Sequence, residues 1–205
     1  MADSLLIQFE NHQAELAIIG KLVLAYGELE FATMDVVRAV MGGNTEKAVK
    51  ALYRLRSESN RLELADALVA GDIRDKKFGG HWHEAYCALK TCKNIRNQFA
   101  HGQFIGDDGL LRFGDMDEAA TSKGKDFKIR MRPIHLSTLK TQLDYFGYTH
   151  HVLMWLGDQI RIESGQSRLI GPKVPKPKRV APPKPDSRGE ARPPRLNGKG
   201  SRRPQ

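Results

Sequence analysis

Three residues near the middle of the chain have side chains suited to phosphodiester chemistry. Arg96, Asn97 and His101 lie within the stretch "CKNIRNQFAHGQF", residues 92–104, towards the end of a predicted helix. Arginine binds phosphate through two parallel hydrogen bonds, and histidine, with an ordinary pKa near neutrality, can move a proton. An amide such as that of Asn97 can orient either group. RNA carries its own nucleophile, the 2′-hydroxyl, so this set would need neither a metal ion nor a covalent enzyme intermediate.

The helical positions of these residues limit how they can act together. On a helical wheel, Arg96 falls inside an apolar arc formed by Trp82, Ala85, Leu89, Cys92, Ile95, Phe99 and Ala100. An unpaired guanidinium on a buried face is costly, so Arg96 must be neutralised, exposed in a cleft, or used. His101 points about 140° away from Arg96, whereas Asn97 and His101 share one side of the helix. Two copies of the helix around a two-fold axis could bring all three types of group to one cleft, which predicts a homodimer.

A purely structural interpretation of the same residues stays open. Arg96 could pair with a carboxylate from another helix, such as Asp66, Glu84 or Asp144, and only hold the bundle together. His101, which precedes a helix-ending glycine, could simply complement the helix dipole.

The six residues "RNQFAH", residues 96–101, resemble the R-x4-H motif of the HEPN superfamily, including its common form R-N-x-x-A-H. In architecture, the resemblance extends over about residues 10–163. It implies a dimeric, metal-independent endoribonuclease of the kind found in toxin–antitoxin and anti-phage systems, with RNA as substrate and an antitoxin or regulatory protein as a further partner. By this resemblance, Arg96 would stabilise the phosphate, His101 would act as general acid or base, and Asn97 would orient one of them. The products would be a 2′,3′-cyclic phosphate and a 5′-hydroxyl. Many members of the superfamily are not nucleases, so a non-catalytic module that binds nucleic acid or a partner protein is the alternative.

The elements that position the motif are predicted from apolar periodicity and capping residues. Residues 1–170 read as an all-α, HEPN-like bundle of four to five helices with a small β-hairpin-like insert at about residues 103–135. A long first helix precedes Gly42, with Gly20 and Gly27 as points where it could break. Its predicted apolar side comprises Leu16, Ile19, Val23, Tyr26, Phe31, Met34 and Val37.

Four further helices follow from the same signals. A second helix begins at an N-cap, Asn44 or Thr45, and a third covers about residues 59–70 and stops at Gly71. The motif helix runs over about residues 81–101, with Gly102 as its stop, and Ser137 caps the last helix. The polar stretch "EAATSKGK" is the predicted loop of the insert.

The positive charge of the chain is concentrated in its last 35 residues. Residues 171–205 hold 11 Lys and Arg against 2 Asp and Glu, a net charge of +9, while residues 1–170 hold 22 of each and are neutral. Nine of the ten prolines also lie there, so the sequence predicts a disordered basic tail. Such a tail can bind phosphates without reading sequence. The candidate contacts are Lys173, Lys176, Lys178, Arg179 and Lys184. A third interpretation of the protein is a helical scaffold with this tail as its active part.

Other candidate sites are weaker. His83 and Cys87 are spaced as two zinc ligands on a helix, but no second pair completes the set, so no metal and no cofactor is expected. The histidine pair His150 and His151 is read as residues at the edge of the core.

The sequence contains no G-x-S-x-G, P-loop or G-x-G-x-x-G motif, which leaves esterase, NTPase and dinucleotide-binding functions unsupported. With no signal peptide, no long apolar run and two cysteines that cannot bridge, a cytoplasmic location and no membrane partner are expected.

Overall fold

A computed structural model describes residues 10–73, 78–107, 109–114, 129–166 and 174–183. Within these ranges the helices are α1 (Gln13–Val40, preceded by a 3-10 turn at Glu10–His12), α2 (Thr45–Tyr53), α3 (Glu58–Ile73), α4 (Gly79–His101) and α5 (Leu136–Glu163). The strands are β1 (Gln103–Asp107), β2 (Leu110–Gly114) and β3 (Met131–Pro133). The prediction of an all-α bundle with a small β insert is confirmed.

Helix α1 is the central element, because it packs along α5 and also contacts α2, α3 and α4. It continues through Gly20 and Gly27 without a break. Its buried face includes Leu22, Tyr26 and Leu29, each no more than 2% exposed. The prediction that Val23 and Phe31 belong to the core face is wrong. Phe31 lies about 140° round the helix from Tyr26 and is 60% exposed, and Val23 is 36% exposed.

Two of the helix ends differ from the predicted ones for reasons of packing. Helix α3 runs past Gly71 because Ile73, two residues later, is fully buried. Helix α5 begins at Leu136, which packs against the core, so the predicted N-cap Ser137 lies inside the helix. By contrast, Asn44 is confirmed as the N-cap of α2, since its side-chain oxygen accepts a hydrogen bond from the Lys47 amide at 2.9 Å.

The strands form an antiparallel sheet in the order β1-β2-β3. In the β1–β2 hairpin, Phe104 lies opposite Phe113, and Gly109 has the positive φ of 76° that the turn requires. Phe104 and Phe113 pack on Phe99 of α4, with ring centroids 6.4 and 6.1 Å from that ring. The hairpin therefore fixes the C-terminal end of the motif helix. The predicted polar loop "EAATSKGK" lies outside the described residues.

Gly102 joins α4 to this hairpin and is required there for space. Its φ of −78° is open to any residue, so a left-handed turn is not the reason for glycine. A β-carbon at this position would lie 2.6 Å from the Gln98 carbonyl oxygen and 2.9 Å from a ring carbon of Phe113. Because residue 102 has no side chain, the backbone can pass close to Phe113 and begin β1 immediately after His101.

A buried ionic cluster joins α1 to α5. Arg161, only 2% exposed, donates hydrogen bonds at 2.7 Å to Asp35 of α1 and at 2.7 Å to Asp158. Burial opposes the charged guanidinium, but the two carboxylates together outweigh burial and raise the pKa of Arg161. Gly157 makes room for this cluster, since a β-carbon there would lie 3.2 Å from a carboxylate oxygen of Asp35.

Candidate functional site

Arg96 is held at the junction of α1, α3 and α4. Its guanidinium donates to a carboxylate oxygen of Glu58, in the first turn of α3, and its central carbon lies 4.8 Å from the ring centroid of Tyr26 on α1. The side chains of Arg96 and Glu58 are 20% and 16% exposed. The apolar position that the helical wheel gives Arg96 is thus compatible with its charge, because a carboxylate neutralises the guanidinium and an aromatic ring supports it.

Sequence reasoning missed both of these partners. Of the carboxylates proposed for Arg96, Asp66 accepts a hydrogen bond from the Trp82 indole nitrogen at 2.8 Å, and Glu84 accepts one from the Tyr148 hydroxyl at 3.0 Å. Glu58 lies 38 residues before Arg96 in the sequence. The periodicity of one helix cannot identify a partner that lies so far away along the chain. Its position at the predicted start of the third helix was the only available signal.

Tyr26 provides an apolar floor under the guanidinium. Burial, followed by the neighbouring Glu58 carboxylate, raises the pKa of Tyr26 well above its ordinary range, so its hydroxyl stays protonated at any physiological pH. Tyr26 therefore supports Arg96 through its ring face and carries no charge.

His101 and Asn97 occupy a different side of α4 from Arg96. His101 is exposed in the last turn of the helix and makes no hydrogen bond or ion pair to another described residue. Asn97, one turn earlier, is half-buried, and its side-chain oxygen has no hydrogen-bond partner within the described ranges. The helical spacing places Asn97 and His101 on one side, whereas Arg96 contacts Glu58 and Tyr26. A single chain therefore presents the motif as two separate parts, a fixed arginine on one side and, on another, an exposed histidine near a half-buried asparagine.

Part of the basic tail lies against the bundle. Residues 174–183 contain no helix or strand, in agreement with the prediction, and begin with a hydrogen bond from the Val174 amide to Asp158 at 3.4 Å. The ammonium group of Lys176 lies 5.7 Å from the ring centroid of Trp155, and Arg179 pairs with Glu84 at 2.9 Å. Arg179 remains 83% exposed in that pair.

The tail residues predicted to bind nucleic acid thus have different surroundings. Lys176 and Arg179 contact the bundle, and Lys178 is exposed. Lys173 and Lys184 lie outside the described residues. The structure brings none of the three described tail residues into contact with Arg96, Asn97 or His101.

The remaining histidines and cysteines lie elsewhere on α4 and α5. The sulfur of Cys87 lies 3.7 Å from the Nε2 atom of His83, and no group of three or more potential metal ligands occurs in the part of the chain that the structure describes. His150 is half-buried, and burial followed by the neighbouring His151 lowers its pKa. His150 thus lies at the edge of the core, as predicted, whereas His151 is exposed and the same prediction is wrong for it.

The chain matches no protein-family model, no curated protein and no solved structure. Among the described residues, no helix is both long and apolar enough to cross a membrane. We therefore infer the function from the chain's own residues and their geometry.

Proposed function

We propose that the protein is a metal-independent endoribonuclease of HEPN type whose site forms between two copies of the chain. One observation carries the proposal. The last turn of α4 presents an exposed histidine, one turn after an asparagine whose buried side-chain oxygen has no hydrogen-bond partner among the described residues, at the end of a helix that the β1–β2 hairpin holds in place. A general acid or base must be reachable by substrate, and the exposed His101 is reachable on a helix end that the hairpin holds.

In the proposed reaction, Arg96 stabilises the phosphate while His101 moves the proton. One nitrogen of the Arg96 guanidinium donates to Glu58, and arginine has five N–H donors in total, so others can bind a phosphate oxygen. The 2′-hydroxyl loses its proton to the imidazole of one copy as its oxygen attacks phosphorus. The 5′-oxygen leaves and takes a proton from the imidazole of the other copy. The products are a 2′,3′-cyclic phosphate and a 5′-hydroxyl.

Two copies are required because of the geometry of α4. Arg96 and His101 diverge by about 140° on the helix, so the arginine of one chain cannot easily serve the histidine of the same chain. A two-fold arrangement of two α4 helices lets the arginine of one copy face the histidine of the other. The resemblance to HEPN proteins extends the proposal to a role as a toxin or in phage defence, in which case production of the protein slows growth.

The test compares wild type with His101→Ala on a pool of labelled RNAs in the presence of EDTA. We expect cleavage by wild type only, with cyclic phosphate ends. His151→Ala is the matched control, because His151 is also an exposed helical histidine but lies on α5, outside the motif. Equal cleavage by the wild type and His101→Ala would contradict the assignment of His101 and point to a contaminating nuclease.

A second candidate function is a non-catalytic helical module that binds nucleic acid or a partner protein. The ion pair between Arg96 and Glu58 favours it, since a neutralised arginine has a structural role without any ligand. In that case Arg96→Met destabilises the bundle, whereas His101→Ala changes neither stability nor binding.

A further inference from the structure

The corner between α2 and α3 carries free positive charge beside an exposed aromatic ring. Helix α2 ends at Tyr53, whose side chain is 48% exposed, and residues 54–57 connect it to α3. Arg54 and Arg56, in this connection, are both exposed. Neither guanidinium forms an ion pair or hydrogen bond with any residue that the structure describes.

Three nearby cations, by contrast, are neutralised. Lys50 pairs with Glu46 within α2, Arg61 pairs with Glu30 at 2.7 Å, and Arg96 pairs with Glu58. Arg54 and Arg56 therefore carry positive charge that no described carboxylate neutralises, and Lys93, which donates to Ser59, adds to it. Two exposed guanidinium groups two residues apart, without a described carboxylate partner, are suited to phosphate groups, which they bind through fixed pairs of N–H donors.

The exposed ring of Tyr53 is a surface on which another planar ring can stack. The guanidinium of Arg61 lies 5.7 Å from the Tyr53 ring centroid and holds that ring at the mouth of an open cleft. Glu30, Thr33, Leu52 and Leu62 complete the lining. The cleft encloses only about 20 Å³, room for a water molecule, so a planar group would lie at the surface against the Tyr53 ring and not inside the cleft.

The corner adjoins the candidate site through the first turn of α3. Glu58 contacts Arg96, and the next residue, Ser59, accepts a hydrogen bond from Lys93, one turn before Arg96 on α4. Only Ser57 separates Arg56 from Glu58. A strand bound at Arg96 can therefore continue past Lys93 to Arg56 and Arg54 without leaving the protein surface.

We propose that this corner is a subsite for single-stranded RNA, in which Arg54 and Arg56 bind consecutive phosphates and Tyr53 stacks on a base. Stacking on an aromatic ring beside a cationic groove is the usual mode by which proteins bind single strands without sequence preference. The choice of RNA over DNA rests on the proposed function. The binding site itself does not, because it is assigned from the two free arginines and the exposed ring.

The test measures binding of the full chain to a fluorescein-labelled 12-nucleotide uridine RNA with 2′-O-methyl groups. This probe has no free 2′-hydroxyl and cannot be cleaved, so affinity is read independently of activity. Each phosphate contact on a single strand contributes a slope of about 0.7 to the dependence of log K on log salt concentration. We expect Arg54→Gln with Arg56→Gln to lower the slope by about 1.4. When the two proteins bind equally at 1 M salt, the variant then binds about 25-fold more weakly than wild type at 0.1 M salt.

Tyr53 has its own pair of variants. We expect Tyr53→Ala to weaken binding by about fivefold or more, and Tyr53→Phe, which keeps the ring, to bind like wild type. The matched charge control is Lys21→Gln with Lys140→Gln, which removes two exposed cations on α1 and α5.

Three results would overturn the proposal. The first is an unchanged affinity and salt slope for the arginine double variant. The second is an equal loss for the lysine control, which would show general attraction to charge. The third is loss of binding only when Lys176, Lys178 and Arg179 are replaced by glutamine, which would place the site on the tail. If wild type cleaves no RNA but the arginine variant still loses binding, the proposed activity fails and the subsite stands.

Discussion

The ion pair between Arg96 and Glu58 is the contact whose removal separates a structural role of Arg96 from a catalytic one. We consider Arg96→Met, which keeps much of the apolar stem, Glu58→Gln, which removes the charge, and the double variant. Exposed ion pairs contribute about 0.2–1 kcal/mol, and removal of one partner of a fully buried pair costs about 3–5 kcal/mol. The side chains of Arg96 and Glu58 are 20% and 16% exposed, so the contribution of this pair to the free energy of unfolding should lie between these two values.

The magnitudes follow from the contacts of each group. Arg96→Met loses the ion pair and the cation–π contact with Tyr26, and leaves Glu58 charged and half-buried, so we expect a loss of about 2 kcal/mol in the free energy of unfolding. Glu58→Gln keeps a hydrogen-bonding side chain and should cost about 1 kcal/mol. The double variant should also lose about 2 kcal/mol rather than 3, a coupling of about 1 kcal/mol.

Urea denaturation followed by circular dichroism measures these values, at one fixed protein concentration so that self-association does not alter the comparison. For a chain of this size, 2 kcal/mol corresponds to a fall in Tm of roughly 4–8 °C. Additive losses to within about 0.3–0.5 kcal/mol would refute the coupling. If Arg96→Met were as stable as wild type and lost only cleavage, the structural role itself would be refuted.

Three further predictions concern the core and the surface. Arg161→Met leaves the buried Asp158 without its ion pair, whereas Asp35 keeps Arg38 at 2.6 Å, so the free energy of unfolding should fall by about 3 kcal/mol in urea denaturation; a loss below 1 kcal/mol would show that water reaches the cluster. Burial raises the pKa of the Cys92 thiol from 9.0 to about 12, so the native protein should react with a thiol reagent only at the exposed Cys87, and modification of both at equal rates would contradict this. Because the unfolded thiol ionises first, the contribution of Cys92 to stability is complete below pH 9 and is lost as the pH rises towards 12, and Cys92→Ala should remove that part of the pH dependence. Leu24 and Phe31 are 78% and 60% exposed, so replacing both with lysine should change stability by less than about 0.5 kcal/mol, and a change in sedimentation would place self-association on α1 instead of α4.

Local features were predictable wherever the deciding contact lies within a few residues. Asn44 caps α2 because its side chain reaches an amide three residues ahead, and a sequence signal of that range is reliable. The β1–β2 hairpin follows from two apolar runs around a turn with glycine at its end. Ser137 carries the same kind of signal as Asn44, yet α5 starts at Leu136 because Leu136 has apolar partners in the core.

The candidate site was only half predictable for the same reason. The spacing along α4 placed Arg96 among apolar residues and put Asn97 and His101 on another side, since these relations depend only on 100° per residue. The partners of Arg96 come from α1 and α3, and no periodicity within α4 identifies them. That Arg54 and Arg56 have no described carboxylate partner depends on which helices approach them, as does the pairing of Arg61 with Glu30.

By itself, the sequence determined the helical class, the neutral bundle with its basic tail, and a motif that combines arginine, amide and imidazole on one helix. Periodicity, capping and charge composition depend only on the residue types and on neighbours in the sequence. They are therefore the same whether or not the chain has folded. Tertiary structure decided which charges are neutralised and which stay free, because an ion pair such as Arg96 with Glu58 or Arg161 with Asp35 depends on the approach of distant helices. It also decided that Gly102 serves close packing rather than a left-handed turn, since the atoms that exclude a side chain there belong to Gln98 and Phe113.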